Sequence, residues 1–221
     1  MFAYLSYKSK THRIIPSRYP TVSPFDWAES TEEIEQLAVL EGLTNDRIKG
    51  ALGNINLVNK EDWIAAEGAS PLMSPFTHPG YSRFSDGSFG IYYTSDSLKT
   101  AVTETKFHRK RFLQASNEPP CQVQMREYTA YIVKKMIDIR DKKYCAYLNP
   151  DIASYPQSQQ FGKEMKLQNE WGLMYSSVRK VDGICFAILR PSALTIPVQG
   201  CHLEYIWDGT EIIETNVLKV I

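Results

Sequence analysis

The chain has 221 residues, 43% of them hydrophobic and 23% charged, and its 25 basic and 25 acidic side chains cancel to a formal net charge of zero. That length suits one domain with a sizeable core. The composition excludes a disordered chain, and the charge balance argues against a general nucleic-acid binder, which carries a basic excess.

No apolar run reaches the roughly 18 residues that a membrane span needs. MFAYLSYKSKTHR lacks the apolar core of a signal peptide. Four dispersed cysteines and four dispersed histidines offer neither a disulfide framework nor a zinc spacing. The expectation is a cytoplasmic protein with reduced thiols, no metal and no membrane contact.

In chain order, SRYPTVSPFD is broken by prolines and is extended or turned. STEEIEQLAVLEGL opens with Ser30 as an N-cap and Glu33 three residues on, a capping box, with Ile34, Leu37 and Ala38 on one helical face. This helix is a packing element. GASPLMSPFTHPG reads as a loop rich in Pro and Gly.

RFSDGSFGIYYTSDSLKTAVTE, residues 83–104, is the most informative stretch. Gly87 and Gly90 allow a tight turn, and IYYT has the content of a short strand that puts one tyrosine ring in the core and the other out. Thr94 or Ser95 can cap the helix that follows, with Asp96 near its positive end. Leu98, Ala101, Val102 and Thr105 form the inward stripe. At about 100° per residue Glu104 falls beside that stripe, where a carboxylate is partly desolvated yet reachable by a ligand, and His108 lies one turn on as a hydrogen-bonding neighbour. KFHRKR, residues 106–111, is the densest basic run, and it falls at the expected C-terminal end of the helix, where cations suit the dipole.

Beyond residue 121 the chain becomes β-rich. QVQMREYTAYIV reads as a strand and KKMIDIR as its continuation or a second strand after a bend. YPQSQQFGKEMKLQNEWG reads as a helix closed near Gly172, ICFAIL as a strand, and EYIWDGTEII as a hairpin around Asp208-Gly209. This mixed order predicts the α+β class. A single domain over residues 1–221 is expected, with 1–75 an N-terminal strand plus helical elaboration and 76–221 the core.

Taken together, Tyr81-Ser82-Arg83-Phe84-Ser85, Gly90-Ile91-Tyr92-Tyr93 and Ala101-Val102-Thr103-Glu104 resemble the RES domain, a family known mostly as toxins of bacterial toxin–antitoxin pairs. The family pattern runs Gly-Gly-Arg-Trp-Asn, a strand ending in Tyr, then a helix with Ala and Glu, and the spacings match. Arg13-Ile14-Ile15 within RIIPSRYP resembles its N-terminal arginine strand. Ser158-Gln159-Gln160-Phe161-Gly162 resembles its Ser-Gln-x-x-Gly helix, and Tyr175-Ser176-Ser177-Val178-Arg179 its Tyr-Pro-Ser-Val-Arg strand. The chain departs at the Gly-Gly, Trp and Asn positions.

The resemblance implies an ADP-ribosyltransferase-like fold, a split antiparallel β-sheet core with surrounding helices holding NAD as substrate, with no prosthetic group. In that frame Glu104 stabilises an oxocarbenium-like ribose, and Tyr93 offers an aromatic face to nicotinamide. Arg83 and Arg13, with Arg18 the alternative to Arg13, bind pyrophosphate or ribose oxygens. Ser158 or Ser177 donates to the substrate or positions the acceptor.

Water as acceptor makes the protein an NAD glycohydrolase, phosphate an NAD phosphorylase, and a protein side chain an ADP-ribosyltransferase. The resemblance also implies a toxin that depletes NAD and arrests growth, with an Xre-type antitoxin that plugs the cleft and makes any DNA contact itself. A nucleic-acid or partner-binding module built on residues 106–111, and a RES fold without catalysis, are the competing readings.

Overall fold

The computed structural model describes residues 2–18, 24–28, 30–34, 36 and 53–218. Ser30 caps its helix as expected, with the Glu33 N–H donating to Ser30 Oγ at 3.2 Å and Ile34 fully buried. Leu37 and Ala38, the rest of that stripe, lie outside the described residues.

Eleven strands are described: β1 (Tyr4–Leu5), β2 (Lys10–Pro16), β3 (Tyr81–Ser82), β4 (Ser85–Asp86), β5 (Tyr92–Ser95), β6 (Cys121–Tyr131), β7 (Met136–Asp138), β8 (Gly172–Ser176), β9 (Ile184–Ile188), β10 (Val198–Trp207) and β11 (Ile212–Leu218). The principal helices are α1 (Ser70–Thr77), α2 (Leu98–Ala115) and α3 (Tyr155–Leu167). Nine of these strands form one sheet in the order β1-β7-β8-β9-β5-β2-β6-β10-β11, and β3 and β4 make a separate hairpin turning at Arg83-Phe84.

The fold is α+β, as expected. The sheet is antiparallel except between β7 and β8, which run parallel because the chain between them crosses over through α3. It falls into two halves, joined between β2 and β5 by one residue pair, His12 with Ser95.

Both faces of the β7-β8-β9-β5 half are covered. Phe84, Phe161, Leu173, Tyr175 and Ala187 pack on one side, and Phe76, Tyr92, Met174, Phe186 and Ile188 on the other. ICFAIL is therefore apolar throughout rather than alternating. In the other half α2 lies on β6 and β10 through Ala101, Met125, Leu203, Tyr205 and Trp207. The hairpin predicted at Asp208-Gly209 joins β10 to β11, with Gly209 at φ +100°.

Local expectations shift in four places. GASPLMSPFTHPG is helical: Pro71 sits in the first turn, where a missing N–H costs nothing, and burial of Leu72, Met73 and Phe76 outweighs the internal Pro75. Ser97, rather than Thr94 or Ser95, caps α2, its Oγ accepting from the Thr100 N–H at 3.2 Å, because β5 runs on through both of the earlier residues. Helix α2 then continues past KFHRKR to Ala115, so that run lies inside the helix instead of at its end. Helix α3 stops at Leu167 rather than near Gly172. Asn169 adopts φ 60°, and the Glu170 N–H returns to Met165 O at 3.1 Å.

Helix α3 meets the β3–β4 hairpin at Gly162, where an added Cβ would stand 2.0 Å from Phe84 O. That contact sets the height of the helix over the loop carrying Arg83. Gly162→Ala is expected to lower stability by about 2 kcal/mol through overpacking, read as a lower urea midpoint with the slope unchanged.

Candidate active site

A cavity of about 350 Å³ opens where the two halves of the sheet part, within the usual range for small-molecule sites. Strand β2 supplies Arg13, β5 supplies Tyr93, the β3–β4 hairpin supplies Arg83, and α2 supplies Glu104, His108 and Arg111. Tyr155, Tyr175 and Arg179 complete much of the wall. Arg13, Arg83, Tyr93 and Glu104, named from motifs spread over 92 residues of sequence, thus share one cavity.

Glu104 is held rather than loose. Ser177 Oγ accepts from the backbone N–H groups of Arg179 (3.2 Å) and Lys180 (3.0 Å), so its own hydroxyl proton is directed to Glu104 Oε1 at 2.5 Å. The Cys185 thiol lies 3.7 Å from the same oxygen, and burial beside that carboxylate raises its pKa, keeping it protonated. His108, expected as the partner of Glu104, instead packs edge-on to Phe107 at 5.3 Å on the cavity rim.

The tyrosine pair divides as expected. Tyr92 is fully buried, while Tyr93 is half-buried on the cavity wall. The Tyr93 hydroxyl donates to Ser82 Oγ at 2.9 Å and accepts from the Phe84 N–H at 3.1 Å, pinning strand to hairpin on either side of Arg83. Burial pushes its pKa up to about 12, so it remains a neutral phenol.

Arg83, itself buried, donates through Nη1 to the carbonyls of Tyr147 (3.2 Å) and Asn149 (2.7 Å) and lies 4.8 Å from the Tyr155 ring centroid. Arg13 Nη1 donates to Tyr93 O at 2.9 Å across the gap between the sheet halves, with its guanidinium 4.5 Å from the Tyr92 ring. Burial lowers the Arg13 pKa from its ordinary value, but a guanidinium stays charged at any physiological pH.

The remaining predicted residues stand back from the cavity. Ser158 is fully buried and donates to Tyr147 O at 2.9 Å, the carbonyl that Arg83 also binds. Its neighbour Gln159 donates to Ser82 O (2.9 Å) and Ser85 O (3.1 Å). The Ser-Gln-x-x-Gly segment therefore clamps the loops that hold Arg83. Ser177 acts on Glu104, and Arg18 stacks 5.2 Å from the Phe112 ring on the outer surface.

Sequence reasoning passed over Arg111 and Arg179. Arg111 falls seven residues after Glu104, two turns along the same helical face, a spacing that the reading of KFHRKR as one basic run concealed. Lys110 of that run pairs with Glu211. Arg179 packs 3.5 Å from the Phe107 ring centroid and donates to Pro150 O at 2.6 Å.

Among the described residues, Glu104 is the one carboxylate lining a cavity that also carries Arg13, Arg83, Arg111 and Arg179. Partial burial of the rim residue His108, together with the cations Arg179, Arg111 and Arg83, lowers its pKa to about 4. Such a site suits an anionic ligand that presents a developing positive charge to one carboxylate.

The architecture and the cavity define an α+β protein with a cation-lined small-molecule site at a sheet junction. The RES domain family model matches residues 59–208, and the chain belongs to that family. An uncharacterized protein of Sinorhizobium fredii, y4oC, is 30% identical over 207 residues, covering 93% of this chain and 86% of that one. A chain of the M. tuberculosis MbcT–MbcA toxin–antitoxin complex matches with a TM-score of 0.47 at 11% identity, over 89% of this chain and 86% of that chain. No helix among the described residues is long and apolar enough to cross a membrane.

If the cavity takes a polyanion, inorganic pyrophosphate should screen the arginines and raise the His108 pKa from about 4 towards the ordinary 6.5. An NMR titration of the His108 ring with and without pyrophosphate checks this; an unchanged titration would place the anion elsewhere.

Proposed function

We propose that the protein cleaves the nicotinamide–ribose bond of NAD, transferring ADP-ribose to a small acceptor, and acts as the toxin of a toxin–antitoxin pair. The observation that carries the chemistry is the pairing of one fixed carboxylate, Glu104, with four guanidinium groups in a single cavity. The pyrophosphate of NAD carries two negative charges that planar forks such as Arg13 and Arg83 bind well. A cation-lined site opposes a second positive charge, so an oxocarbenium-like ribose forms readily only beside the carboxylate.

Nicotinamide leaves as a neutral ring, taking the electron pair of the C–N bond, and needs no general acid. Glu104, its Oε1 fixed by Ser177, would bond the ribose 2-hydroxyl and stabilise the positive charge as it develops at C1. Tyr93, with its hydroxyl tied to the hairpin, presents its ring rather than a proton. Membership of the RES family supports the toxin role and an Xre-type antitoxin that covers the cavity mouth.

The test is NAD turnover by the purified chain and by Glu104→Gln, with and without inorganic phosphate, resolving nicotinamide from ADP-ribose products. Wild type should release nicotinamide. Glu104→Gln should fall by about 10³-fold with little change in nucleotide affinity, as expected when an interaction specific to the transition state is lost. Equal turnover by both proteins would remove Glu104 from the chemistry.

A further inference from the structure

We infer that His12, oriented by the buried carboxylate of Glu127, is the general base that activates water as the acceptor. This rests on the NAD-cleaving reading above and names its second substrate.

His12 lines the same cavity as Glu104, with 22% of its side chain exposed. On β2 and β6 the pairs His12–Thr129 and Ile14–Glu127 put His12 and Glu127 on one face of the sheet. There the His12 Nδ1–H donates to Glu127 Oε1 at 2.5 Å. A carboxylate on Nδ1 fixes the tautomer whose lone pair is on Nε2, the form a base requires.

The surroundings of Glu127 are shaped around this task. Its side chain is 8% exposed, and its second oxygen accepts from the Cys201 N–H (3.1 Å) and the Cys201 thiol (3.3 Å). Strand β10 is irregular between Gln199 and His202, opposite this carboxylate, and an added Cβ at Gly200 would lie 2.2 Å from Glu127 Oε2. The bulge and the missing side chain make room for the carboxylate and turn an N–H onto it. Burial alone would raise the Glu127 pKa, but the hydrogen bonds from His12 and Cys201 outweigh it and keep the group low and ionised. A packing interaction alone has no need of this arrangement, whereas a base must be held in one orientation and one protonation state.

The step balances without a further reactant. The water oxygen bonds to the ribose carbon as the C–N bond breaks, nicotinamide leaves with that electron pair, and His12 Nε2 takes the water proton and later releases it to solvent. The products are ADP-ribose, nicotinamide and one proton. Phosphate dianion needs no deprotonation, so a fixed base at this position marks water as the acceptor.

The experiment compares water with azide, a nucleophile that carries no proton, on wild type, His12→Asn, His12→Gln and Glu127→Gln. Folding is read by thermal denaturation and nucleotide binding by the rise in Tm with NAD. The His12 variants should keep that rise, lose about 100-fold in hydrolysis, and recover nicotinamide release in azide with an ADP-ribosyl azide product. Glu127→Gln should lose about 10-fold and recover likewise, the mark of a positioning residue.

Hydrolysis unchanged in the His12 variants would overturn the inference, as would a loss that azide does not relieve. Wild type that forms only a ribose-phosphate product in phosphate buffer, and none in water, would overturn it as well. Wild type that releases no nicotinamide with any nucleophile would take down the NAD reading first, visibly, before any variant is compared.

Discussion

Everything in the site depends on the place where the sheet nearly comes apart. Strands β2 and β5 are neighbours joined by one residue pair, and beyond it the ladder gives way to a side chain: Arg13 reaches across and donates to the carbonyl of Tyr93. A backbone carbonyl at an interrupted sheet edge needs a donor, and here the donor brings a permanent positive charge. The Tyr92 ring alongside lets the guanidinium stay desolvated. This contact thus bridges the halves beside the cavity and charges its wall.

The supporting layer fixes the groups around that gap from behind. Ser158, Arg83 and Arg179 all bind carbonyls of the segment from Tyr147 to Pro150, and Gln159 binds those of the β3–β4 hairpin. Ser177, whose oxygen accepts two backbone N–H groups, has one direction left for its proton, and Glu104 lies there. Ser158, Gln159 and Ser177, which do not line the cavity, thus fix the loops and the carboxylate that do.

What could be read in the sequence was local or strongly periodic. Glu104 and Tyr93 were legible through the order and spacing of the motifs that resemble the RES family, helical phase adding that Glu104 falls beside the inward stripe of its helix. The hairpin at Asp208-Gly209 and the cap at Ser30 rest on turn and cap chemistry that acts over a few residues. Misread elements were decided by tertiary burial: Thr94 and Ser95 look like caps but are buried in a strand, and the prolines of Ser70–Thr77 are overruled by the apolar side chains between them.

Ser158 resembled a substrate contact because a motif gives a residue's neighbours in sequence and not the direction in which it points. The pairing of His12 with Glu127 spans 115 residues and depends on a bulge in a third strand, so no local pattern could announce it. Arg111 was within reach of a simple helical count from Glu104.

The position of β2 in the sheet has a consequence for how the protein is made. Strand β2 leaves the ribosome first among the long strands, yet it is central, flanked by β5 and β6. It has no neighbour to pair with until synthesis has passed Ser95, and its long ladder waits for Tyr131. Contacts of such sequence separation form slowly. Arg13 and His12 therefore join the cavity only after most of the chain exists. The wall runs from His12 to Cys185, so the cavity cannot close until β9 has been made.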